Sequence, residues 1–125
     1  MKQTPAQKIF AELFRLIDFE LLKQNSILRY QASGFMPLVI ELLAEDTISM
    51  THYYKSNGDM VCDPDMTIQM DWNQKTAHPL SYQDSYRYQD VRGEAGEIDK
   101  VLQRSLSSFL LQWIQNIKSQ GFFNQ

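Results

Sequence analysis

One stretch of the sequence, residues 48–72, constrains the fold more than any other. It contains the run ISMTHYYKSNGDMVCDPDMTIQMDW, in which two alternating segments flank the dipeptide Asn57-Gly58. Both central residues of a type I′ turn need a positive φ, which asparagine and glycine tolerate best. The stretch therefore predicts a β-hairpin with a two-residue loop.

The register of this hairpin decides which side chains can meet. An unbroken ladder running back from the turn would place Met50 opposite Asp65, so that an apolar face met a polar one. One extra residue near Pro64 restores the match, because proline cannot donate to the ladder and is tolerated at bulges. We therefore predict a β-bulge between Asp63 and Asp65. With this bulge, Met50 pairs with Met66.

The same register predicts a pair of polar side chains. It places His52 beside Asp63, on the face that continues the apolar row. We expect a hydrogen bond in which each charge favours the other, raising the pKa of His52 and lowering that of Asp63. A structural pair that holds the bulge is the preferred interpretation. The alternative is a hydrolase in which Asp63 orients His52 as a general base.

A metal-dependent hydrolase is a second enzymatic hypothesis. Its possible ligands are one imidazole and three carboxylates: His52, Asp59, Asp63 and Asp65. No metalloprotease, serine-hydrolase, phosphate-loop or calcium-loop motif supports either enzymatic hypothesis, and no cofactor or resident metal is expected. His78 precedes Pro79 in a segment without clear periodicity, where we expect an exposed loop residue.

Length and composition are those of one soluble globular domain, residues 1–125. The 43% hydrophobic and 22% charged fractions are ordinary for such a domain. No apolar run approaches the roughly 20 residues that cross a bilayer, and no signal peptide is recognisable, so a cytoplasmic location is expected. The single cysteine, Cys62, excludes an intrachain disulfide, and we interpret it as an accommodated thiol rather than a nucleophile.

Charge is distributed unevenly along the chain. The formal net charge is −3, but residues 41–71 hold seven acidic residues against a single lysine. A phosphate backbone would be repelled from this part, and no lysine and arginine cluster elsewhere suggests a nucleic-acid footprint. We expect neither direct contact with nucleic acid nor a membrane partner.

Helical periodicity marks both ends of the chain. Residues 5–23 follow a capping box of Thr4 and Gln7, and residues 94–120 precede Gly121, after which an aromatic residue should fold back on the last turn. Both helices are interpreted as core-facing, although an exposed stripe on the first would leave room for a homodimer. The residues expected in the core are Phe14, Ile17, Ile40, Phe109 and Trp113.

The segments between the helices predict strands. Residues 27–32 alternate weakly, residues 37–44 form the most apolar run, and the hairpin follows directly. This order predicts an α+β fold, an antiparallel meander of about four strands with the N- and C-terminal helices packed on one face. Residues 73–93 are ambiguous between an edge strand and a covering loop.

Tyrosines and aspartates support another hypothesis, a non-catalytic protein-binding or regulatory module. Tyrosines at alternate positions of residues 82–88 could line one side of an edge strand, although tyrosines resting on the rim of the core are the structural alternative. We prefer this module, with a protein partner, because recognition residues outnumber catalytic ones. The candidate binding residues are Tyr53, Asp59, Asp65, Tyr82, Tyr86 and Tyr88.

The hairpin and the end of the last predicted helix contain a distinctive set of residues: His52-Tyr53-Tyr54, Asn57-Gly58-Asp59, Asp63-Pro64-Asp65-Met66, Trp113, Asn116 and Gln120-Gly121-Phe122. With these residues the chain resembles an uncharacterised domain family of plasmids, phages and conjugative elements. That family has the pattern H-Y-x-x-N-G-D-x-x-x-D-P-[DE]-M, to which this chain adds one residue before the asparagine. The resemblance implies a small bacterial cytoplasmic domain of a mobile element, without catalytic residues to carry over.

Overall fold

The chain folds into a six-stranded antiparallel sheet with helices before and after it. The computed structural model describes the backbone of residues 2–123, and their side chains except those of residues 54–56, 60 and 62. The strands lie in the sheet in sequence order: β1 (Ile27–Tyr30), β2 (Leu38–Ala44), β3 (Thr47–Ser56), β4 (Asp59–Asp71), β5 (Thr76–Gln83) and β6 (Tyr88–Asp90). The helices are α1 (Pro5–Leu16), α2 (Phe19–Asn25) and α3 (Lys100–Ser119).

The α+β class, the antiparallel meander and the terminal helices are confirmed, but the expected number of about four strands is wrong. The strands that the sequence did not reveal, β5 and β6, lie in the ambiguous residues 73–93. Thr67 and Ile68 are neighbours in β4, but their partners in β5 are Ser81 and Pro79. Leu80 is therefore an extra residue that forms a bulge. Because this bulge interrupts the two-residue alternation, no single apolar period runs through the strand.

One face of the sheet, here called the inner face, carries the core. On it Met50 of β3 lies between Ile40 of β2 and Met66 of β4, and all three side chains are fully buried. α1 and α3 contact each other, and their buried residues join this row in one cluster. The opposite, outer face carries exposed polar residues such as Glu41 and Gln69.

The β3–β4 hairpin has the predicted register. Asn57 and Gly58 both have positive φ, as the predicted turn requires. Across from His52, β4 contributes two residues, Asp63 and Pro64, between regularly paired positions on either side. The predicted bulge is therefore confirmed. The ladder contains the predicted pair of Met50 with Met66, and it also pairs Ser56 with Asp59, Tyr54 with Val61 and Ile48 with Ile68.

The first helix of the sequence analysis is two helices. α1 begins with the predicted capping box, but Ile17 is extended and Asp18 caps α2, its carboxylate accepting from the amide of Leu21 at 3.1 Å. An aspartate at a helix N-cap satisfies a backbone donor that would otherwise lack a partner. The apolar residues keep their helical spacing across this break, so periodicity alone could not reveal the break.

Replacing Asp18 with alanine is expected to lower the free energy of unfolding by about 1 kcal/mol, because the start of α2 loses its cap. Urea denaturation of the purified protein measures this loss. Asp18→Asn is the matched control, since the amide oxygen can still accept from Leu21, and it should retain most of the stability. Equal losses in the two variants would attribute the effect to charge rather than to capping.

The last helix begins later than predicted. Residues 94–99 are not helical: the amide of Gly93 donates to the carbonyl of Glu97 at 2.8 Å, and Gly96 has a φ of 87°. At the other end, Gly121 has a φ of 92°, and the amide of Phe122 donates to the carbonyl of Ile117 at 3.3 Å. The predicted left-handed cap with a folded-back aromatic residue is confirmed.

Two of the five residues expected in the core lie largely outside it. Ile17, Ile40 and Trp113 are buried, but Phe14 is 59% exposed and Phe109 is 39% exposed. Both phenylalanines lie at the border of an apolar stripe that is wider than the surface the helix packs against. Their expected burial was therefore wrong.

Candidate functional site

His52 lies beneath the sheet, not in an open cleft. Its side chain is 8% exposed, and its ring centroid lies 5.5 Å from that of Trp113 and 5.4 Å from that of Phe122. Nδ1 lies 3.2 Å from the carbonyl oxygen of Pro37, which can only accept, so Nδ1 carries a proton. Burial lowers the pKa of His52, although the carbonyls of Pro37 and Met36 partly oppose this shift. The predicted rise in its pKa is wrong.

Asp63 has a different partner from the one predicted. Its Oδ2 accepts a hydrogen bond of 2.9 Å from the hydroxyl of Ser85, in the turn between β5 and β6. No hydrogen bond joins His52 to Asp63 among the described contacts, although the two residues lie opposite each other in the bulge. His52 turns towards the rings below the sheet, whereas Asp63 reaches the neighbouring turn. The proposed base and its orienting carboxylate are therefore not brought together.

The hypothetical metal ligands are also separated. Asp65 lies on the outer face, where it accepts a hydrogen bond of 2.9 Å from Thr51, whereas His52 lies on the inner face. Asp59 is exposed beside the hairpin turn. No group of three or more histidine, cysteine, aspartate or glutamate side chains in the described part of the chain could hold a metal ion.

Two further residues of the hairpin were singled out by the sequence. Tyr53 is half-buried on the outer face, and its backbone pairs with that of Cys62. The side chain of Cys62 lies outside the described residues, so its interpretation as an accommodated thiol stays a prediction.

The three candidate tyrosines do not form one stripe. Tyr82 lies on the inner face of β5, half-buried, with its ring 5.2 Å from that of Phe109 and nearly perpendicular to it. Tyr86 lies in the turn between β5 and β6, and Tyr88 lies on the outer face opposite Gln83. The predicted shared side fails because the chain turns between Tyr82 and Tyr88.

A turn organised by Asp84 holds Tyr86 in solvent. One oxygen of Asp84 accepts from the amides of Tyr86 and Arg87 at 2.8 and 3.0 Å, and the other accepts from the hydroxyl of Tyr82 at 2.8 Å. These hydrogen bonds lower the pKa of Asp84, and the one from the amide of Tyr86 contributes most. Burial, together with the nearby carboxylate of Asp84, raises the pKa of Tyr82 to about 12. Tyr86 itself is 94% exposed.

Tyr88 is held on the outer face by a second carboxylate. It is 60% exposed, and its hydroxyl donates to Asp90 at 3.1 Å. Asp90 also accepts two hydrogen bonds from the guanidinium of Arg92, at 2.9 and 2.8 Å. The paired Arg92 lowers the pKa of Asp90 to about 2. Asp90 and Arg92 therefore largely neutralise each other.

These residues form one candidate docking surface, here called the tyrosine edge. It comprises two exposed tyrosines and the carboxylates around them: Asp63, Asp65, Asp84, Tyr86 and Tyr88. Sequence reasoning found the tyrosines but missed the roles of Asp84 and Ser85. An aspartate followed by serine at the start of a four-residue turn is the local signal that could have revealed them.

Comparison with protein families places the chain in a family. A family model described as a domain of unknown function (DUF6908) matches residues 8–123. No curated protein and no solved structure matches the chain. None of the helices that the described residues form is long and apolar enough to cross a membrane.

Proposed function

We propose that this chain, which belongs to the DUF6908 family, is a non-catalytic protein-binding module whose tyrosine edge docks a basic segment of a partner protein. Membership of an uncharacterised domain family is the part of the sequence resemblance that the match confirms. A bacterial mobile-element origin and a cytoplasmic location are further proposals, supported by the hairpin motif.

The main support for the proposal is that Tyr86 is exposed in a turn held by hydrogen bonds. A tyrosine that is 94% exposed adds little to the core, yet Asp84 and Ser85 hold its turn with hydrogen bonds. Tyrosine offers a large amphipathic contact area for the ordering of only two χ angles, and a held turn lowers that cost further. The hydrolase alternative has less support, because His52 is buried between the sheet and the rings of Trp113 and Phe122.

The charge of the tyrosine edge favours a basic partner. Asp63, Asp65 and Asp84 contribute three carboxylates, whereas the exposed guanidinium of Arg87 lies at a long 3.9 Å from the half-buried carboxylate of Asp84. Such a pair is weak, so Arg87 offsets little of the negative field. Complementary charge across an interface raises association rates and excludes partners of the wrong sign.

Replacing Tyr86 and Tyr88 together with serine should abolish retention of the partner while leaving the fold intact. The wild type and the double variant are immobilised and exposed to bacterial lysate, and retained proteins are quantified by mass spectrometry. We expect a basic protein to be depleted by about tenfold or more on the variant, and its retention by the wild type to weaken as salt is raised.

Phe35→Ser is the matched control, because it removes another exposed aromatic ring from a different loop, and it should retain the partner. Circular dichroism verifies that all variants are folded. The proposal is wrong if every protein retained by the wild type is retained equally by the tyrosine variant, or if the tyrosine-dependent partner is acidic.

A further inference from the structure

A groove between α1 and the turn joining β4 to β5 is separate from the tyrosine edge. It encloses about 550 Å³. Its lining includes aromatic, small and polar side chains from both elements: Gln7, Phe10, Ala11, Phe14, Trp72 and Lys75. We call it the Trp72 groove.

Four aromatic rings hold the shape of the Trp72 groove. The ring of Trp72 is nearly perpendicular to that of Phe19 at 5.1 Å and to that of Phe10 at 5.6 Å, and Phe10 stacks on Phe14 at 5.8 Å. The indole nitrogen of Trp72 donates to the carbonyl of Glu45 at 3.3 Å. Because these contacts fix the rings without a ligand, the groove is pre-formed.

Phe14 is the unusual member of this cluster. Its ring lies near three other rings, yet the side chain remains 59% exposed. A partly covered ring at the side of a concave surface offers apolar area that a bound side chain can remove from water.

The charges around the groove indicate which kind of partner it can bind. Lys75 is the charged residue among the described side chains that line it. Outside the lining, Lys8 is exposed on α1, and the carboxylate of Asp71 is occupied by the amides of Asn73 and Gln74. An acidic segment complements these cations. A symmetric dimer through this patch would bring the same cationic surface of each copy together, because a twofold interface pairs a patch with itself. A membrane suits protruding apolar side chains better than a concave site.

We propose that the Trp72 groove binds a short acidic segment of a partner protein, with one apolar or aromatic side chain seated against Phe14 and Trp72. A carboxylate beside that anchor faces Lys75. The site is opposite in charge to the tyrosine edge and uses none of its residues. It therefore recognises a different class of segment.

Selection from a random dodecapeptide library displayed on phage tests this site. The wild-type protein is the target, and peptides that also bind Phe14→Ser are removed. The enriched peptides should share an aromatic residue or leucine flanked by aspartate or glutamate. In NMR spectra of the protein, a synthetic peptide of this kind should shift the indole signal of Trp72 more than that of Trp113.

The variants separate the site from its alternatives. Phe14→Ser and Lys75→Glu should each weaken binding of the synthetic peptide by about tenfold or more. Val101→Ser removes an exposed apolar side chain from α3, and Tyr86→Ser alters the tyrosine edge, so both should bind normally. Because Lys75 is exposed, its variant keeps the test decisive even if Phe14→Ser folds poorly.

Four results would overturn the proposal. They are the absence of any enriched peptide, enrichment of basic peptides, and Phe14-dependent self-association in sedimentation velocity. The fourth is Phe14-dependent flotation with vesicles of phosphatidylcholine and phosphatidylserine. The third result would assign the groove to a second copy of the chain and the fourth to a membrane, while the tyrosine edge would be unaffected by any of them.

Discussion

Replacing Trp113 with alanine is expected to lower the free energy of unfolding by about 3 to 5 kcal/mol. Trp113 lies on α3, is 6% exposed, and packs against His52 at 5.5 Å and Phe109 at 6.2 Å between ring centroids. Removing the indole leaves a cavity between α3 and the sheet that the surrounding backbone cannot close. Urea denaturation followed by circular dichroism measures the loss without relying on tryptophan fluorescence.

Phe109→Ala is the matched comparison on the same helix. Because 39% of this side chain is already in water, its removal should cost no more than about 2 kcal/mol. Phe109 covers Tyr82 and Trp113 from the side, so the loss should still be measurable. Equal losses in the two variants would mean that α3 is rotated about its axis and that Phe109 points into the core.

The hairpin could be predicted in detail because its signals are local. The turn residues specify the loop, and the two-residue alternation assigns the faces. Pro64 then locates the bulge, since Met50 and Met66 can pair only if one residue is inserted there. All of this information lies within about 25 residues of sequence, and the observed pairing of β3 with β4 agrees with it.

The helices were harder because periodicity locates a stripe but not the width of the surface that covers it. Phe14 and Phe109 fit the stripes of α1 and α3, yet the sheet and the neighbouring helix leave both partly exposed. The break at Asp18 and the late start of α3 depend on capping and on Gly96. These features do not change the apolar spacing, so the spacing could not reveal them.

The site was predicted only in part because its contacts join distant parts of the chain. The face on which His52 lies followed from the register, but its neighbours Trp113 and Phe122 come from the end of the chain. Asp63 likewise contacts Ser85 through a turn that the sequence left unassigned. A register predicts which residues are adjacent on a sheet, not which of several polar partners each side chain selects.

The stability difference between the wild type and His52→Ala should depend on pH. At about pH 8 the variant should lose on the order of 1 to 3 kcal/mol, because it lacks the buried imidazole and the hydrogen bond of that ring to the carbonyl of Pro37, although this carbonyl still accepts from the amide of Tyr53 at 3.4 Å. As the pH falls towards about 5, this difference should shrink. Urea denaturation at a series of pH values measures both quantities.

The direction of this change follows from the lowered pKa of His52. In the unfolded chain a histidine titrates at about pH 6.5, whereas burial makes His52 harder to protonate in the folded protein. Above the pKa that this histidine has in the unfolded chain, neutral His52 contributes its full stabilisation to the folded protein. This stabilisation is lost as the pH falls through the lowered folded pKa, because the unfolded chain then binds a proton more readily.

The same measurement discriminates between the two environments considered for His52. An ion pair with Asp63 would raise its pKa, and the difference between wild type and variant would then grow as the pH falls from about 8 to about 6. Burial of His52, which lowers its pKa, predicts the opposite slope. His78→Ala is the control for a histidine outside this cluster, and it should leave the pH dependence due to His52 intact. A difference that widened on acidification would restore the paired carboxylate and, with it, the case for His52 as a base.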